Sequence, residues 1–208
     1  MSLKIWGRLS SVNVQKVVWC ADEIGIEYER VEAGGKFGGN DTPQYLAMNP
    51  NGLVPVIDDD GFVLYESNAI VRYLAARSGA TSLWPEDPRA RADVDRWMEW
   101  QSTGYTPAMW AAFMQLIRTA PDKRDVGAID ASRVKSEKHS AILDAHLGAN
   151  RYLTGERFTV ADIVVGCAAH RWLNLPIERA SRPNLERWYQ EIAARPSAQQ
   201  VCSQKPLT

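Results

Sequence analysis

The spacing of apolar residues changes once along this chain, near position 80, and that change limits the fold more than any single motif does. Before it, short alternating runs are interleaved with runs of helical period. Leu3 to Trp6 alternates as a strand. Val14, Val17, Val18, Ala21 and Ile24 then recur at helical spacing up to Gly25, a natural C-terminal cap. Glu27 to Val31 reads as a second strand, followed by a loop holding Gly34, Gly35, Gly38 and Gly39, either a flexible connection or a loop that hugs a ligand. Pro43 opens a short helix that must end before Asn49-Pro50. Val54 to Ile57 and Phe62 to Tyr65 flank Asp58-Asp59-Asp60-Gly61 as a hairpin. A helix from Glu66-Ser67 then carries Ile70, Tyr73 and Leu74 inward and ends near Gly79. The order strand, helix, strand, helix, hairpin, helix closes one small α/β unit.

After position 80 no strand pattern recurs. Residues 80–88 contain Pro85 and Pro88 and read as a linker, which divides the chain into 1–79, 80–88 and 89–208. Val94, Trp97 and Met98 mark one helix, and Trp110, Phe113 and Met114 its continuation or the next. Val134, Ile142 and Leu143 mark a third. Thr159-Val160-Ala161-Asp162 has the shape of a capping box, with Asp in place of the usual Glu or Gln, ahead of the apolar run Ile163 to Ala169. Pro183 opens a last helix with Leu185, Trp188, Tyr189 and Ile192, ended by Pro196.

Composition removes several functions. Lys+Arg number 24 against 25 Asp+Glu, so no global field draws nucleic acid or an anionic membrane. No run of 18 apolar residues is present, and no charged, apolar leader, so neither membrane spanning nor secretion is expected. Cys20, Cys167 and Cys202 are odd in number and widely spaced, which argues for a reducing compartment and against a disulfide framework. Cys20, a turn and a half into the first helix, and Cys167, in its apolar run, read as core residues. His139, His146 and His170 are scattered, so no metal is expected.

Four segments, in order, resemble the soluble glutathione transferase family, especially its theta-like and bacterial Ser/Asn-type members. They are Ser11-Val12-Asn13-Val14-Gln15-Lys16-Val17, Asn49-Pro50-Asn51-Gly52-Leu53-Val54-Pro55-Val56, Glu66-Ser67-Asn68-Ala69-Ile70 and the Thr159 to Asp162 box. The resemblance implies an α/β thioredoxin-like N-terminal domain that binds glutathione as co-substrate. It also implies an all-α C-terminal helical domain that shapes the pocket of a second substrate, a homodimer, and a cytoplasmic enzyme of detoxification.

The resemblance implies that the bond before Pro55 is cis, turning the Val54 N–H and C=O toward the tripeptide, which pairs there like an added strand. Glu66 and Ser67, where a strand meets a helix, form an ordinary cap or hold the γ-glutamyl end: Ser67 its carboxylate, Glu66 its ammonium. For the glycyl carboxylate many relatives carry a cation where this chain has Leu53, which leaves Lys36, Asn40 and Asn51 as substitutes. Lys36 reads equally as a solvated loop lysine.

The resemblance places the catalytic element at the start of the first helix, where the residues on their own read as a helix cap. A free thiol titrates near pH about 8.5, so a hydrogen bond to sulfur and a helix N-terminus are needed to favour thiolate. Ser10, Ser11 and Asn13 lie there, with Ser11 the first choice and Asn13 close behind. The turn carries no cysteine, so the protein cannot form a mixed disulfide there. Trp97, Trp100, Met109, Trp110 and Phe113 form either a core stripe or the wall of the electrophile pocket, with Trp172 closing its far side. Asp95 or Gln101 reaches the partner subunit's glutathione in this reading. Conjugation is the first function expected. The alternatives are glutathione-dependent reduction of disulfides or peroxides, and non-catalytic binding.

Overall fold

The computed structural model describes residues 3–203 and 207. Four short strands, β1 (Leu3–Trp6), β2 (Tyr28–Val31), β3 (Val56–Asp59) and β4 (Phe62–Tyr65), form one mixed sheet in the order β2-β1-β3-β4. β1 pairs parallel with β2, and β1–β3 and β3–β4 are antiparallel. The parallel pair needs a crossover, which α1 (Val12–Ile24) supplies. With α2 (Pro43–Met48) and α3 (Ser67–Arg77) this is a thioredoxin-like α/β unit. Helices α4 (Pro88–Trp100), α5 (Thr106–Phe113), α6 (Val126–Leu147), α7 (Val160–Asn174), α8 (Pro183–Ala193) and the short α9 (Gln199–Cys202) make the rest mostly helical.

Several sequence expectations shift by a few residues. β3 begins at Val56, not Val54, and the Val54-Pro55 bond before it is cis. At its other end β3 runs on through Asp58 and Asp59, leaving Asp60-Gly61 as a two-residue turn with φ of 51° and 93°. Both residues of such a turn need positive φ, which is what an Asp-Gly pair provides. α8 is not the last helix: after Pro196 a 3-10 turn at Pro196–Ala198 leads into α9. Val134 and Ile142 do lie on α6 but face outward, while Ser132, Ser136 and Ser140 form its buried edge. Ser132 Oγ donates to Ala108 O at 2.6 Å and accepts from Ala112 N at 3.1 Å, so small polar residues let α5 and α6 approach closely.

The two units share one core. Trp19 on α1 is fully buried against α7, where Gly166 leaves room: a Cβ there would lie 3.2 Å from the Trp19 ring. Glu23 at the end of α1 pairs with Arg195 beyond α8. Cys20 and Cys167 are buried, and burial pushes the Cys20 thiol up to about 12 and Cys167 higher still, so both stay protonated. Asp162, the fourth residue of the capping box, is completely buried and ties α7 to the loop before it and to Trp188 on α8.

Two wide π-turns interrupt the first helices of the second unit, at Gln101–Tyr105 between α4 and α5 and at Met114–Arg118 after α5. Each inserts a residue into the helical repeat and re-aims the side chains around it. Both turns face the α/β unit at its cavities.

Candidate active site

The β1–α1 junction brings the site together. Gly7, at φ 150°, has no room for a side chain: a Cβ would lie 2.4 Å from Val14 Cγ2 and 3.2 Å from Val54 Cβ. The start of α1 and the segment around cis-Pro55 are thereby held against each other. Among the described residues, the Val54 N–H and C=O carry no hydrogen bond. They form an open peptide edge. Leu53 O is instead held from behind, by Tyr45 Oη and Asn49 Nδ2, both at 2.8 Å.

Ser11 is the N-cap of α1, yet its hydroxyl makes no capping bond. No acidic side chain occupies the first turn, so the positive end of the helix dipole is left uncompensated. Ser11 and Ser10 line a cavity of about 520 Å³ with Val12, Val54, Leu53 and Asn40. Asn13, exposed in the first turn of α1, lines this cavity and also a second one of about 420 Å³. The start of α1 is the junction of the two.

The smaller cavity is polar. Glu66, Ser67, Asn68 and Ala69 line it from the N-terminus of α3, facing Gln101 and Thr106 at the first π-turn. Glu66 sits at φ 73°, ψ 108°, a conformation strained for a residue with a side chain, and it places the first amides of α3 at the cavity. Gln101 Nε2 donates to Thr106 Oγ1, and Gln101 Oε1 is buried with no partner among the described residues. That orphaned acceptor points to a donor from outside the protein. Asp95, the other residue expected to reach across a dimer, is occupied within its own chain by Arg72.

Lys16 was not singled out as a site residue, and it has no visible signal: a lysine one turn into a helix reads as solvated. Here it is buried, with Nζ 3.1 Å from Asn68 Oδ1 and 3.5 Å from Ser67 Oγ. Burial pulls its ammonium down to about 8, with Arg171 acting in the same direction and Glu66 and Glu99 against it. Below pH about 8 folded and unfolded chains both hold this proton and the burial penalty is carried in full. Between about 8 and 10.5 the folded chain releases it first, so stability relative to a Lys16→Met variant is expected to rise with pH through that window. Urea unfolding on both sides of the window checks this, and a difference between the two proteins that ignores pH contradicts it.

The larger cavity has an apolar wall of Trp110, Phe113 and Met114. Of the six residues expected on that wall, only Trp110 and Phe113 line it. Trp97, Met109 and Trp172 are 4%, 0% and 1% exposed inside the helical unit. Trp100 packs on Trp97, Tyr105 and His139. Their helical spacing was that of a core stripe, and the π-turn at Gln101–Tyr105 changes which face continues toward the cavity. Around the glycyl end, Asn40 lines the cavity and donates from Nδ2 to Gly52 O at 2.6 Å. Asn51 is turned onto Asn49, and Lys36 is exposed with its ammonium 5.1 Å from the Phe37 ring centroid, so the structure does not bring either to the cavities. Leu53 is 63% exposed. Arg8, Arg118 and Arg171, none of them foreseen, also line the larger cavity. Among the described residues, no three His, Cys, Asp or Glu side chains converge as metal ligands.

Comparison with known proteins agrees with this geometry. Residues 1–76 match the family described as glutathione S-transferase, N-terminal domain, and residues 127–191 match glutathione S-transferase, C-terminal domain. The chain is 42% identical to glutathione S-transferase GstB of Escherichia coli K12 over 201 residues, covering 96% of this chain and 97% of that one. It is 35% identical to glutathione S-transferase 3 of Zea mays, over 99% of this chain and 95% of the other. Among solved structures, the theta class glutathione S-transferase of Xanthomonas axonopodis pv. citri with glutathione bound superposes with a TM-score of 0.95, at 44% identity over 99% of each chain. An open peptide edge beside a proton-donating helix start, a polar cavity on one side and an apolar one on the other, is thus set in a chain that belongs to the glutathione S-transferase family.

Proposed function

We propose that the protein conjugates the thiolate of glutathione to a hydrophobic electrophile, and that Ser11 and Asn13 are where the sulfur is activated. The observation that carries this reading is the position of the α1 N-terminus at the junction of the two cavities. A tripeptide lying along the Val54 edge has its γ-glutamyl end toward Ser67 and its sulfur toward Ser11. Its carboxylate accepts from the Ser67 hydroxyl and the first amides of α3, beside the Lys16 ammonium. Its ammonium donates to Glu66 and to Gln101 Oε1, which otherwise lacks a partner. Asn40 is the polar group left for the glycyl end. Lys36 and Asn51 would have to move to assist.

Catalysis then has two parts. Binding both reactants side by side replaces a bimolecular encounter. The Ser11 hydroxyl and the helix dipole favour thiolate over thiol, and the thiol proton goes to solvent. The sulfur forms a bond to the electrophilic carbon, and the leaving group departs with its electron pair. No protein cysteine lies in this turn, which favours conjugation over reduction through a mixed disulfide. In this reading residues 1–79 hold glutathione, 80–88 connect, and 89–208 shape the second pocket. The working form is a cytoplasmic homodimer acting in detoxification.

Ser67→Ala tests the reading directly. Loss of a hydrogen bond to a charged group is worth about 1.5–3 kcal/mol, so glutathione affinity is expected to fall by roughly 10- to 100-fold. Calorimetric titration with reduced glutathione gives the answer, and an unchanged affinity contradicts the assigned orientation.

A further inference from the structure

The larger cavity combines two surfaces that rarely share a wall. Trp110, Phe113, Met114, Val12 and Leu53 make it apolar, yet Arg8, Arg118 and Arg171 line it too, and among the described residues no Asp or Glu does. Arg171 is the most telling of the three. It lies on α7, is 6% exposed, and its guanidinium carbon is 4.0 Å from the Phe113 ring centroid. Among the described residues it makes no hydrogen bond or ion pair. The Arg118 guanidinium carbon lies 5.6 Å from the same ring centroid. Arg8 is held along the Gly34-Gly35 backbone, where a Cβ would come within 2.9 Å of it, and its Nε is buried without a partner among the described residues.

A nearly buried guanidinium with no acceptor in the protein is presented to the cavity, where a ligand can supply one. Burial first, then Arg118 and Arg8, hold Arg171 below its ordinary value, at about 10, which leaves it charged at neutral pH. Burial and Arg118 act in the same direction on Arg8. The cavity is therefore a local positive site in a chain whose formal net charge is −1. Guanidinium groups suit a planar, bidentate partner, and carboxylate has that shape. Glutathione itself lies along the α/β unit, whereas Arg118 and Arg171 come from the helical unit beside the apolar wall.

We infer that the second substrate is an anionic electrophile, an apolar or aromatic body carrying a carboxylate, with Arg171 and Arg118 taking the carboxylate and Phe113, Trp110 and Met114 the body. Arg8 adds its charge from the opposite wall. The inference rests on the transferase reading and narrows it. The carboxylate is unchanged in the reaction: sulfur bonds to the electrophilic carbon and a halide leaves with the bonding pair.

The test compares a chlorodinitrobenzoate with the matching chlorodinitrobenzamide, each rate divided by its uncatalysed rate with glutathione. The benzoate is expected to be preferred at least about 10-fold in kcat/KM, as one charge-assisted bidentate contact allows. Arg171→Met is expected to lower the benzoate-to-benzamide ratio by about 10-fold or more, chiefly through KM for the benzoate. Arg118→Gln, at an exposed side chain, lowers it in the same direction and serves if Arg171→Met does not fold. Equal normalised rates on both compounds in the wild type overturn the inference and leave the transferase reading standing. A ratio that stays high in both variants, while KM for glutathione rises, assigns the arginines to the glycyl carboxylate and overturns it as well. Turnover of neither compound removes the transferase reading together with the inference.

Discussion

Ser11→Ala is expected to lower kcat/KM for conjugation by about 10²- to 10³-fold, the usual cost of removing one preorganised donor from a developing or bound anion. The pH dependence should change in step. A free thiol titrates near pH about 8.5, so without the hydroxyl the ascending limb of the profile moves up toward that value. The deficit is then largest at low pH and shrinks as the solution itself ionises the thiol. A purely structural role for Ser11 gives a different result. An N-cap serine that bonds its helix costs about 0.5–2 kcal/mol of stability when replaced by alanine. Here the hydroxyl makes no capping bond, so the variant should unfold at nearly the wild-type urea concentration. Asn13→Ala, by contrast, is expected to cost less turnover, because Asn13 is exposed while Ser11 is half-buried at the N-cap. Should Asn13→Ala be the more damaging, the two residues exchange roles.

The second large effect is on stability. Asp162→Ala is expected to destabilise the protein by about 3–5 kcal/mol, a large share of the roughly 5–15 kcal/mol that holds a typical protein folded. The Asp162 carboxylate is completely buried and accepts four bonds. Oδ1 accepts from Leu153 N at 3.0 Å and Trp188 Nε1 at 2.9 Å. Oδ2 accepts from Thr159 N at 2.9 Å and Thr159 Oγ1 at 3.3 Å. Burial pushes the carboxyl up to about 6 and the four donors hold it down, so it remains ionised at neutral pH. Alanine strands the three N–H groups in the core and unties α7 from the preceding loop and from α8. Asp162→Asn keeps acceptor capacity on one side only and should fall between alanine and wild type. Urea unfolding of the three proteins settles the order, and a shift below about 1 kcal/mol for alanine would mean that the buried donors find other partners.

What the sequence made visible, and what it hid, follows from how each feature is encoded. The capping box at Thr159 and the Asp-Gly turn at Asp60-Gly61 are local, and local chemistry is written in adjacent residues. The change of period near position 80 is visible for the same reason. That Ser11, Asn13, Glu66 and Ser67 would stand together at the cavities was legible in their positions at the starts of helices, where side-chain identity carries meaning. The pocket wall was hidden. Trp97, Trp100, Met109 and Trp172 have the right chemistry for a wall, but π-turns at Gln101–Tyr105 and Met114–Arg118 rotate the helix faces, and no periodicity records an inserted residue in advance. Arg171 was hidden differently. It follows a long apolar run and stands in the last turn of α7, where a basic residue ordinarily complements the helix dipole. α7 is buried on every side through Trp172, so no polar face marks which residue meets the cavity. Lys16, buried against Ser67 and Asn68, was concealed by the long-range packing of α1 on α3.

In the proposed mechanism the start of α1 makes a thiolate of bound glutathione. Its most direct measurement is a pH titration of the ultraviolet thiolate absorbance of glutathione bound to the wild-type protein, with free glutathione and the Ser11→Ala complex alongside. The bound thiol is expected to titrate at least about one unit below the roughly 8.5 of an unperturbed thiol, and to return toward it in the variant. A bound thiol that titrates where the free one does contradicts the account.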